Sequence, residues 1–310
     1  MGGSGGYGFS SDKGPSPETL RQKIQDAKNH EDSKKFEREL QNYIGDLLAQ
    51  FNDRDTDQIN QHLLSIRDAL SKEIEGTVDL AYGGSIDKHT YIDGLSDIDS
   101  LVLLNNTKLA ELTPSEVKDY LANRLMERFP KTTITTGQLA VTVRFQNHEI
   151  QLLPAVKTNT GYLFSKLDGS GWASIQPKKF AQQLTDTNKS CGNKLVPTIK
   201  LVKAMISNLP EKKRTSGYHT EAIATEIFKS YKGPFNTKDM IHHFFSEAPN
   251  KVKNPIRDKT GQSQYVDSYL GDTGSLQRKI VCDALSRISR KINNADNANN
   301  LNGWRDLFGD

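Results

Sequence analysis

The spacing of apolar residues divides the chain into a helical beginning, a strand-rich middle and a helical end. From Pro17 to about residue 75, apolar residues recur every three or four positions, which is typical of helices with one buried face. Between Val78 and Val156 the pattern changes to short apolar runs and strict alternation, which predicts strands. After that the helical period returns. We therefore predict a small sheet between two helical regions.

The individual elements follow from the same pattern and from punctuation residues. Thr113 and Glu116 have the spacing of a capping box, which predicts a helix from Pro114 to Phe129. The predicted strands run from Val78 to Tyr82, from Ile98 to Leu104, from Leu139 to Phe145 and from Glu149 to Val156, the last two as a hairpin. The predicted later helices run from Pro177 to Thr187, Val196 to Leu209, Tyr218 to Tyr231, Thr237 to Ala248 and Ser275 to Ile292, and the terminal Trp304–Phe308 segment is expected to dock on the body.

Charge, hydropathy and cysteine content limit the partners and the compartment that we expect for this chain. The 310 residues include 41 basic and 38 acidic side chains, and a net charge of +3 does not imply binding of a long nucleic acid. No stretch approaches the roughly 18 apolar residues of a membrane span. Two distant cysteines, Cys191 and Cys282, favour a reducing cytoplasm. We expect a disordered segment at 1–16, a helical segment with the sheet core at 17–160, and a helical lobe at 161–310.

The segment from Gly83 to Leu104 carries the candidate chemistry. Its Gly-Gly-Ser turn ends at Ser85 and can present backbone N–H groups and a hydroxyl to a phosphate. Asp97 and Asp99 are two residues apart and project from the same face of a strand, so they can share a divalent ion. A phosphate cradle beside paired carboxylates indicates phosphoryl or nucleotidyl transfer.

The spacing of polar residues within this segment points to a more specific class of enzyme. Thr90, Ser96, Asp97 and Asp99 follow Ser85 at offsets of 5, 11, 12 and 14 residues. This pattern resembles nucleotidyltransferases of the polymerase-beta type, and most closely the bacterial relatives of cyclic GMP-AMP synthase that act in anti-phage signalling (CBASS). The resemblance covers about residues 35 to 290. It includes Gln151-Leu152-Leu153-Pro154-Ala155, Lys200-Leu201-Val202-Lys203 and Ser216-Gly217-Tyr218-His219.

The resemblance implies an α+β fold and a metal-dependent enzyme. The polymerase-beta-type core, a small mixed sheet with flanking helices, would be followed by a C-terminal helical lobe, with the active site in the cleft between them. Asp97 and Asp99 would hold two Mg²⁺ ions, for which Mn²⁺ could substitute. One ion would lower the pKa of the attacking ribose hydroxyl, and the other would neutralise the departing pyrophosphate.

The resemblance also implies a nucleotide site. Gly84 and Ser85 would bind the β- and γ-phosphates, Lys203 and Lys200 would add positive charge, Ser216 would touch the triphosphate, and Tyr218 would stack on a base. The residues alone leave other interpretations open. Lys203 could be a solvent-facing helix residue, Tyr218 a core aromatic, and Ser216 a helix N-cap, a role compatible with phosphate contact.

One position departs from the family pattern. Gln151 stands where the family has its third aspartate, and an amide oxygen is a weaker ligand for a hard cation than a carboxylate. Glu149 lies two residues earlier, on the same face of the predicted strand. Our hypothesis is that Glu149 supplies the third carboxylate to the metals and that Gln151 assists. The alternative is that Glu149 is a solvated hairpin residue.

Three functions remain in view. The first is synthesis of a cyclic di- or trinucleotide second messenger from nucleoside triphosphates, with ATP expected among them. The second is nucleotidyl transfer to RNA or another acceptor, and the third is a non-catalytic nucleotide sensor, which Gln151 favours. Activation stays open between a constitutive enzyme and one that needs a regulatory protein partner or a ligand. No zinc-binding insertion is apparent, and the pair His242-His243 lacks metal-ligand spacing.

Overall fold

A computed structural model describes residues 17–53, 56–71, 79–82, 88–90, 98–105, 107–146, 148–159, 161–166, 170–175, 177–261 and 263–310. Its helices are α1 (Pro17–Asn52), α2 (Thr56–Ser71), α3 (Pro114–Arg128), α4 (Pro177–Ser190), α5 (Leu195–Ser207), α6 (Gly217–Phe228), α7 (Thr237–Val252), α8 (Leu276–Asn297) and α9 (Leu301–Phe308). Its strands are β1 (Asp79–Tyr82), β2 (Ile98–Leu103), β3 (Thr133–Thr136), β4 (Val141–Arg144), β5 (Glu149–Thr158), β6 (Gly161–Ser165) and β7 (Trp172–Ile175).

The strands form one mixed sheet. The order is β1-β2-β5-β4-β3, and β6 pairs with the second half of β5 and with β7. Strands β2 and β5 are parallel, whereas the other pairings are antiparallel. This sheet with its flanking helices confirms the predicted α+β fold class, and the β4–β5 hairpin confirms the predicted one.

One face of the sheet is buried against α2 and α3. Because alternate strand residues point to opposite faces, this face takes every second residue of the central strands. Its fully buried members include Val102, Val141, Val143, Ile150 and Leu152, packed against Ile66, Leu70, Val117, Leu121 and Leu125 of the two helices. The predicted capping box of α3 is present, with Thr113 and Glu116 each accepting a hydrogen bond from the other's backbone N–H.

The helical lobe has a core of its own. The second half of α1 contributes Phe36, Leu40, Ile44 and Leu47 to this core, together with residues of α5 to α9. Trp304 of α9 is fully buried there, which confirms that the terminal segment docks on the body. Helix α1 therefore packs against the second lobe although it precedes the sheet in sequence. No described helix is long and apolar enough to cross a bilayer.

Three strands differ from the prediction. Strand β3 consists mostly of threonines, and β6 and β7 lie in a region predicted to be mainly helical. Strands β6 and β7 form because β5 is ten residues long and extends beyond β4, which leaves its second half to pair with β6. The sheet thus continues to Ile175, while a domain boundary at residue 160 stays a prediction. The predicted disordered segment 1–16 lies outside the described residues.

Candidate active site

The sheet brings two predicted site residues together. Gln151 of β5 lies directly opposite Asp99 of β2 in the parallel register. Neighbouring strands are about 4.8 Å apart, and paired residues share a face. Ile150 and Leu152 on either side of Gln151 are buried in the opposite face. Asp99 and Gln151 therefore project from the face that carries Leu101, Ala155 and Phe164, away from the α2/α3 core.

Glu149 lies on the same face of β5, two residues before Gln151. Its carboxylate accepts a hydrogen bond from Nε of Arg144, directly opposite on β4, at 2.6 Å. The side chains are 30% and 52% exposed, so this is an ion pair at the surface. A metal bound by Glu149 would have to compete with the guanidinium. The proposed role of Glu149 as the third carboxylate stays a prediction.

Several predicted residues lie outside the described ranges. Gly84, Ser85, Ser96 and Asp97 belong to the segments 83–87 and 91–97, so their predicted roles stay predictions. Within the described residues, no group of three His, Cys, Asp or Glu side chains is placed to hold a metal ion. The carboxylate of Asp99 and the amide of Gln151 both offer oxygen ligands, of which the carboxylate is the stronger for Mg²⁺.

Helix α6 begins at a second predicted cluster. Ser216 is the N-cap, and its hydroxyl accepts a hydrogen bond from the backbone N–H of His219 at 3.2 Å. The N-cap interpretation of Ser216 is therefore confirmed. The next residue, Gly217, has no side chain, and a Cβ there would lie 3.7 Å from Nζ of Lys203. The ammonium group of Lys203 thus lies at the positive end of α6, where N–H groups and a cation together favour an anion.

The two predicted lysines of α5 diverge. Nζ of Lys203 donates to the carbonyl oxygen of Thr90 at 3.1 Å and to Oε1 of Glu221 at 2.6 Å, and its side chain is only 9% exposed. It is not the solvent-facing residue that was one interpretation of the sequence. Nζ of Lys200 donates to Oδ1 of Asn52, at the end of α1, at 2.5 Å. The described contacts therefore place only Lys203 at the start of α6.

Tyr218 is half-buried in an aromatic pair. Its ring meets that of Phe180 edge-on, with centroids 5.0 Å apart, and Nζ of Lys88 lies 5.2 Å from the Tyr218 centroid. The hydroxyl donates to Oδ1 of Asp258 at 2.8 Å. Burial, and then the charge of Asp258, raises the pKa of Tyr218, so the hydroxyl remains a donor at neutral pH.

Asp258 holds the loop that follows it. Its carboxylate accepts hydrogen bonds from the backbone N–H and the hydroxyl of both Thr260 and Ser263, besides that from Tyr218. The carboxylate thus ties Thr260 and Ser263 to the start of this loop. The structure places its first residue in contact with the aromatic ring that was predicted to stack on a base.

Glu221 is the site residue that sequence reasoning missed. Its carboxylate accepts hydrogen bonds from Lys88, from the Thr90 hydroxyl at 2.5 Å and from Lys203, and its side chain is 1% exposed. Burial raises the pKa of this carboxyl, but the charges of Lys88 and Lys203 outweigh burial and lower the pKa to about 2. A signal was present in the sequence, because Glu221 shares the buried stripe of α6 with Ala224 and Phe228.

A network that leads from the exposed Tyr269 to the buried Asp267 supports the start of α6. The hydroxyl of Tyr269 accepts a hydrogen bond from the backbone N–H of Ser216 and contacts Nδ1 of His219, both at 2.9 Å. Nε2 of His219 lies 3.5 Å from Asp267, which is paired with Arg278. Burial lowers the pKa of His219 to about 4, so the imidazole is neutral at physiological pH.

The mixed sheet with its flanking helices has the architecture of a nucleotidyltransferase of the polymerase-beta type. Residues 35–188 match the model of the SMODS family, the Second Messenger Oligonucleotide or Dinucleotide Synthetase domain. The chain belongs to this family of cyclic-oligonucleotide-synthase-like nucleotidyltransferases. No curated protein matches the chain.

Solved structures show the same fold over most of the chain. Vibrio cholerae DncV, a cyclic AMP-GMP synthase in complex with the linear intermediate 5′ pppA(3′,5′)pG, has a TM-score of 0.63 and 11% identity, covering 96% of this chain and 91% of that one. E. coli MS115-1 CdnC in a complex with HORMA-deltaN has a TM-score of 0.60 and 16% identity, covering 82% and 90%. Elizabethkingia meningoseptica CdnE, a cyclic dinucleotide synthase, has a TM-score of 0.55 and 13% identity, covering 74% and 90%. At these identities the likeness establishes the fold.

Proposed function

We propose that this protein joins nucleoside triphosphates into a cyclic di- or trinucleotide second messenger, with release of pyrophosphate, in bacterial anti-phage defence. The observation that carries the proposal is the position of the Lys203 ammonium at the N-terminus of α6, beside Gly217. Helix N–H groups and a nearly buried cation form a site for a triphosphate. The family match supports nucleotidyl transfer as the chemistry at that site.

The residues around Lys203 are proposed to bind different parts of one nucleotide. Lys203 donates to Thr90 and Glu221 and so uses two of its three N–H donors, which leaves the third for a phosphate oxygen. Ser216 and Gly217 add the hydroxyl and the backbone N–H groups of the helix start. The ring of Tyr218, held by Asp258, offers a stacking surface for the base. Gly84 and Ser85 are proposed to bind the β- and γ-phosphates from the sheet side.

Asp99, Asp97 and either Glu149 or Gln151 are proposed to hold divalent ions on the sheet face. A bound Mg²⁺ or Mn²⁺ would supply a more acidic ribose hydroxyl and charge compensation for the leaving group. In the transfer itself, the hydroxyl oxygen of one nucleotide bonds to the α-phosphorus of the other. The bond from that phosphorus to the bridging oxygen breaks, pyrophosphate leaves with the electron pair, and the hydroxyl proton passes to solvent.

The relatives suggest substrates and a partner. CdnC has been solved with ATP and with a HORMA protein, and DncV with an intermediate that contains adenosine and guanosine. We propose ATP as one substrate of this chain and a regulatory protein as its activator. The modest net charge of +3 suits free nucleotides better than a long polyanion. The free cysteines Cys191 and Cys282 are compatible with a proposed cytoplasmic setting.

The test is incubation of the protein with all four ribonucleoside triphosphates and Mg²⁺ or Mn²⁺, followed by mass analysis of the products. A cyclic oligonucleotide and pyrophosphate are expected, and both should disappear in the Asp97→Asn, Asp99→Asn double variant. Nucleotide attached to an RNA or protein would select transfer to a macromolecule instead. Nucleotide binding without pyrophosphate release, in the presence of both ions, would select the sensor that Gln151 in place of an aspartate favours.

A further inference from the structure

Glu221 connects two parts of the chain that meet at the proposed triphosphate site. Lys88 and Thr90 belong to the short described segment between the Gly-Gly-Ser turn and the aspartate pair, whereas Lys203 belongs to α5. All three donate to one carboxylate on α6. The hydroxyl of Thr90 and the ammonium of Lys203 share Oε1, and Lys88 takes Oε2. A single side chain thus joins the motif segment to both helices of the nucleotide cluster.

The electrostatics of this group suit a phosphate site. The pKa of Glu221, lowered to about 2 against the effect of burial, keeps the carboxylate charged at neutral pH. Two ammonium groups against one carboxylate leave one positive charge. Without the carboxylate, both ammonium groups would be held near each other and near the positive end of α6 with no anion to offset them.

Stability alone is a poor reason for such a group. A buried ion pair repays its desolvation only with good geometry, and apolar residues of similar volume are often as stabilising. The backbone at His89 has a φ of 59°, in the left-handed region, between the two residues that both turn toward Glu221. That conformation is uncommon for a residue with a side chain. The arrangement is therefore better explained by the geometry that it maintains.

We propose that Glu221 is a positioning residue for nucleotidyl transfer. It holds the ammonium of Lys203 at the start of α6 and at the same time holds the Lys88–Thr90 segment against it. The sheet side and the helical side of the triphosphate site are thereby kept in one geometry. This inference rests on the proposed function, since it assigns a role within that site.

The test compares Glu221→Gln with Glu226→Gln on the same helix. Glu226 accepts a hydrogen bond from Lys259 at 2.5 Å, and its side chain is 32% exposed, so the control removes an equivalent charge from a surface pair. We expect Glu221→Gln to raise KM for the triphosphate and to lower kcat, each by about tenfold or more, because a charge-assisted contact to Lys203 is lost. Glu226→Gln should stay within about twofold of wild type.

A double-mutant cycle separates positioning from general destabilisation. If Glu221 acts in part through Lys203, the Glu221→Gln, Lys203→Gln double variant should raise KM by less than the product of the two single effects, because the loss of Lys203 already removes that part. Independent multiplication of the two effects would show that Glu221 does not act through Lys203. Glu221→Asp, which keeps the charge, should recover part of the loss.

The remaining outcomes are also decisive. If Glu221→Gln does not fold, Lys88→Gln removes one partner from the same carboxylate, and a KM equal to that of wild type would overturn the proposal. If wild type makes no product, the proposed function fails. The inference is then judged by binding of a non-hydrolysable ATP analogue, which Glu221→Gln should weaken and Glu226→Gln should not. Equal binding by both variants would overturn it.

Discussion

Gln151 lies directly opposite Asp99 in the parallel pairing of β2 and β5. The position that the family resemblance assigns to a third aspartate is therefore paired with Asp99, but it holds a neutral amide. The nearest carboxylate on the same face of β5 is Glu149, about 7 Å further along the strand by the strand repeat. Its ion pair with Arg144 makes it a ligand that must be released before it can bind a metal.

This pairing predicts what happens when the carboxylate is moved from position 149 to position 151. Glu149→Gln should abolish Mg²⁺-dependent pyrophosphate release, because it removes the proposed third carboxylate. Adding Gln151→Asp to that variant should restore activity, since it places a carboxylate directly opposite Asp99. The measurement is the rate of pyrophosphate release as a function of Mg²⁺ concentration.

Arg144→Gln is the matched control. It frees Glu149 without removing its carboxylate, so activity should persist and the Mg²⁺ concentration for half-maximal rate should not rise. Activity of Glu149→Gln near that of wild type would show that Glu149 is a hairpin surface residue, as the alternative interpretation has it.

The two lysines of α5 should differ in their effect on nucleotide binding. Lys203→Gln removes the cation at the start of α6 and should raise KM for the triphosphate by about tenfold or more. Lys200→Gln, whose ammonium lies at Asn52, should raise it less. Steady-state kinetics at two salt concentrations would check this, and the larger effect from Lys200 would contradict the assignment of the triphosphate to the Lys203 side.

Much of the fold follows from local patterns. The helix period, the capping box at Thr113 and the alternation that ends at Phe145 each depend on residues close together in sequence, so they could be predicted. Strands β6 and β7 could not, because they are five and four residues long and depend on the overhang of β5 for pairing.

The contacts of the candidate site also divide into local ones, which the sequence could predict, and long-range ones, which it could not. Ser216 as an N-cap is a contact with His219, three residues away, and was accessible from the sequence. The contacts of Glu221 with Lys88 and Thr90 join residues more than a hundred positions apart. The only hint in the sequence was the position of a charged residue on an otherwise apolar helix face. The contact of Tyr218 with Asp258 could not be predicted either, because it depends on how a long connection folds back.

The ring and the hydroxyl of Tyr218 should have separable roles. Tyr218→Phe keeps the stacking surface and loses the bond to Asp258, whereas Tyr218→Leu also loses the ring. We expect a rise in KM of about tenfold for Tyr218→Leu from lost stacking, and a smaller rise for Tyr218→Phe. Kinetics with each triphosphate in turn would measure this. Equal KM values for Tyr218→Leu and wild type would show that the ring is a core aromatic instead.

The buried His219 predicts a loss of stability in mild acid. Burial lowers its pKa from 6.5 to about 4, so the folded protein binds this proton less readily than the unfolded chain. The free energy of unfolding should therefore fall as pH decreases from about 6.5 to about 4, by up to about 3 kcal/mol in total. Its slope should flatten below that range, where both states are protonated at this position. Urea unfolding of wild type at several pH values would measure the decline. His219→Gln should lack this part of the pH dependence, whereas His30→Gln, on the exposed part of α1, should keep it. An unchanged slope in His219→Gln would show that other groups cause the acid sensitivity.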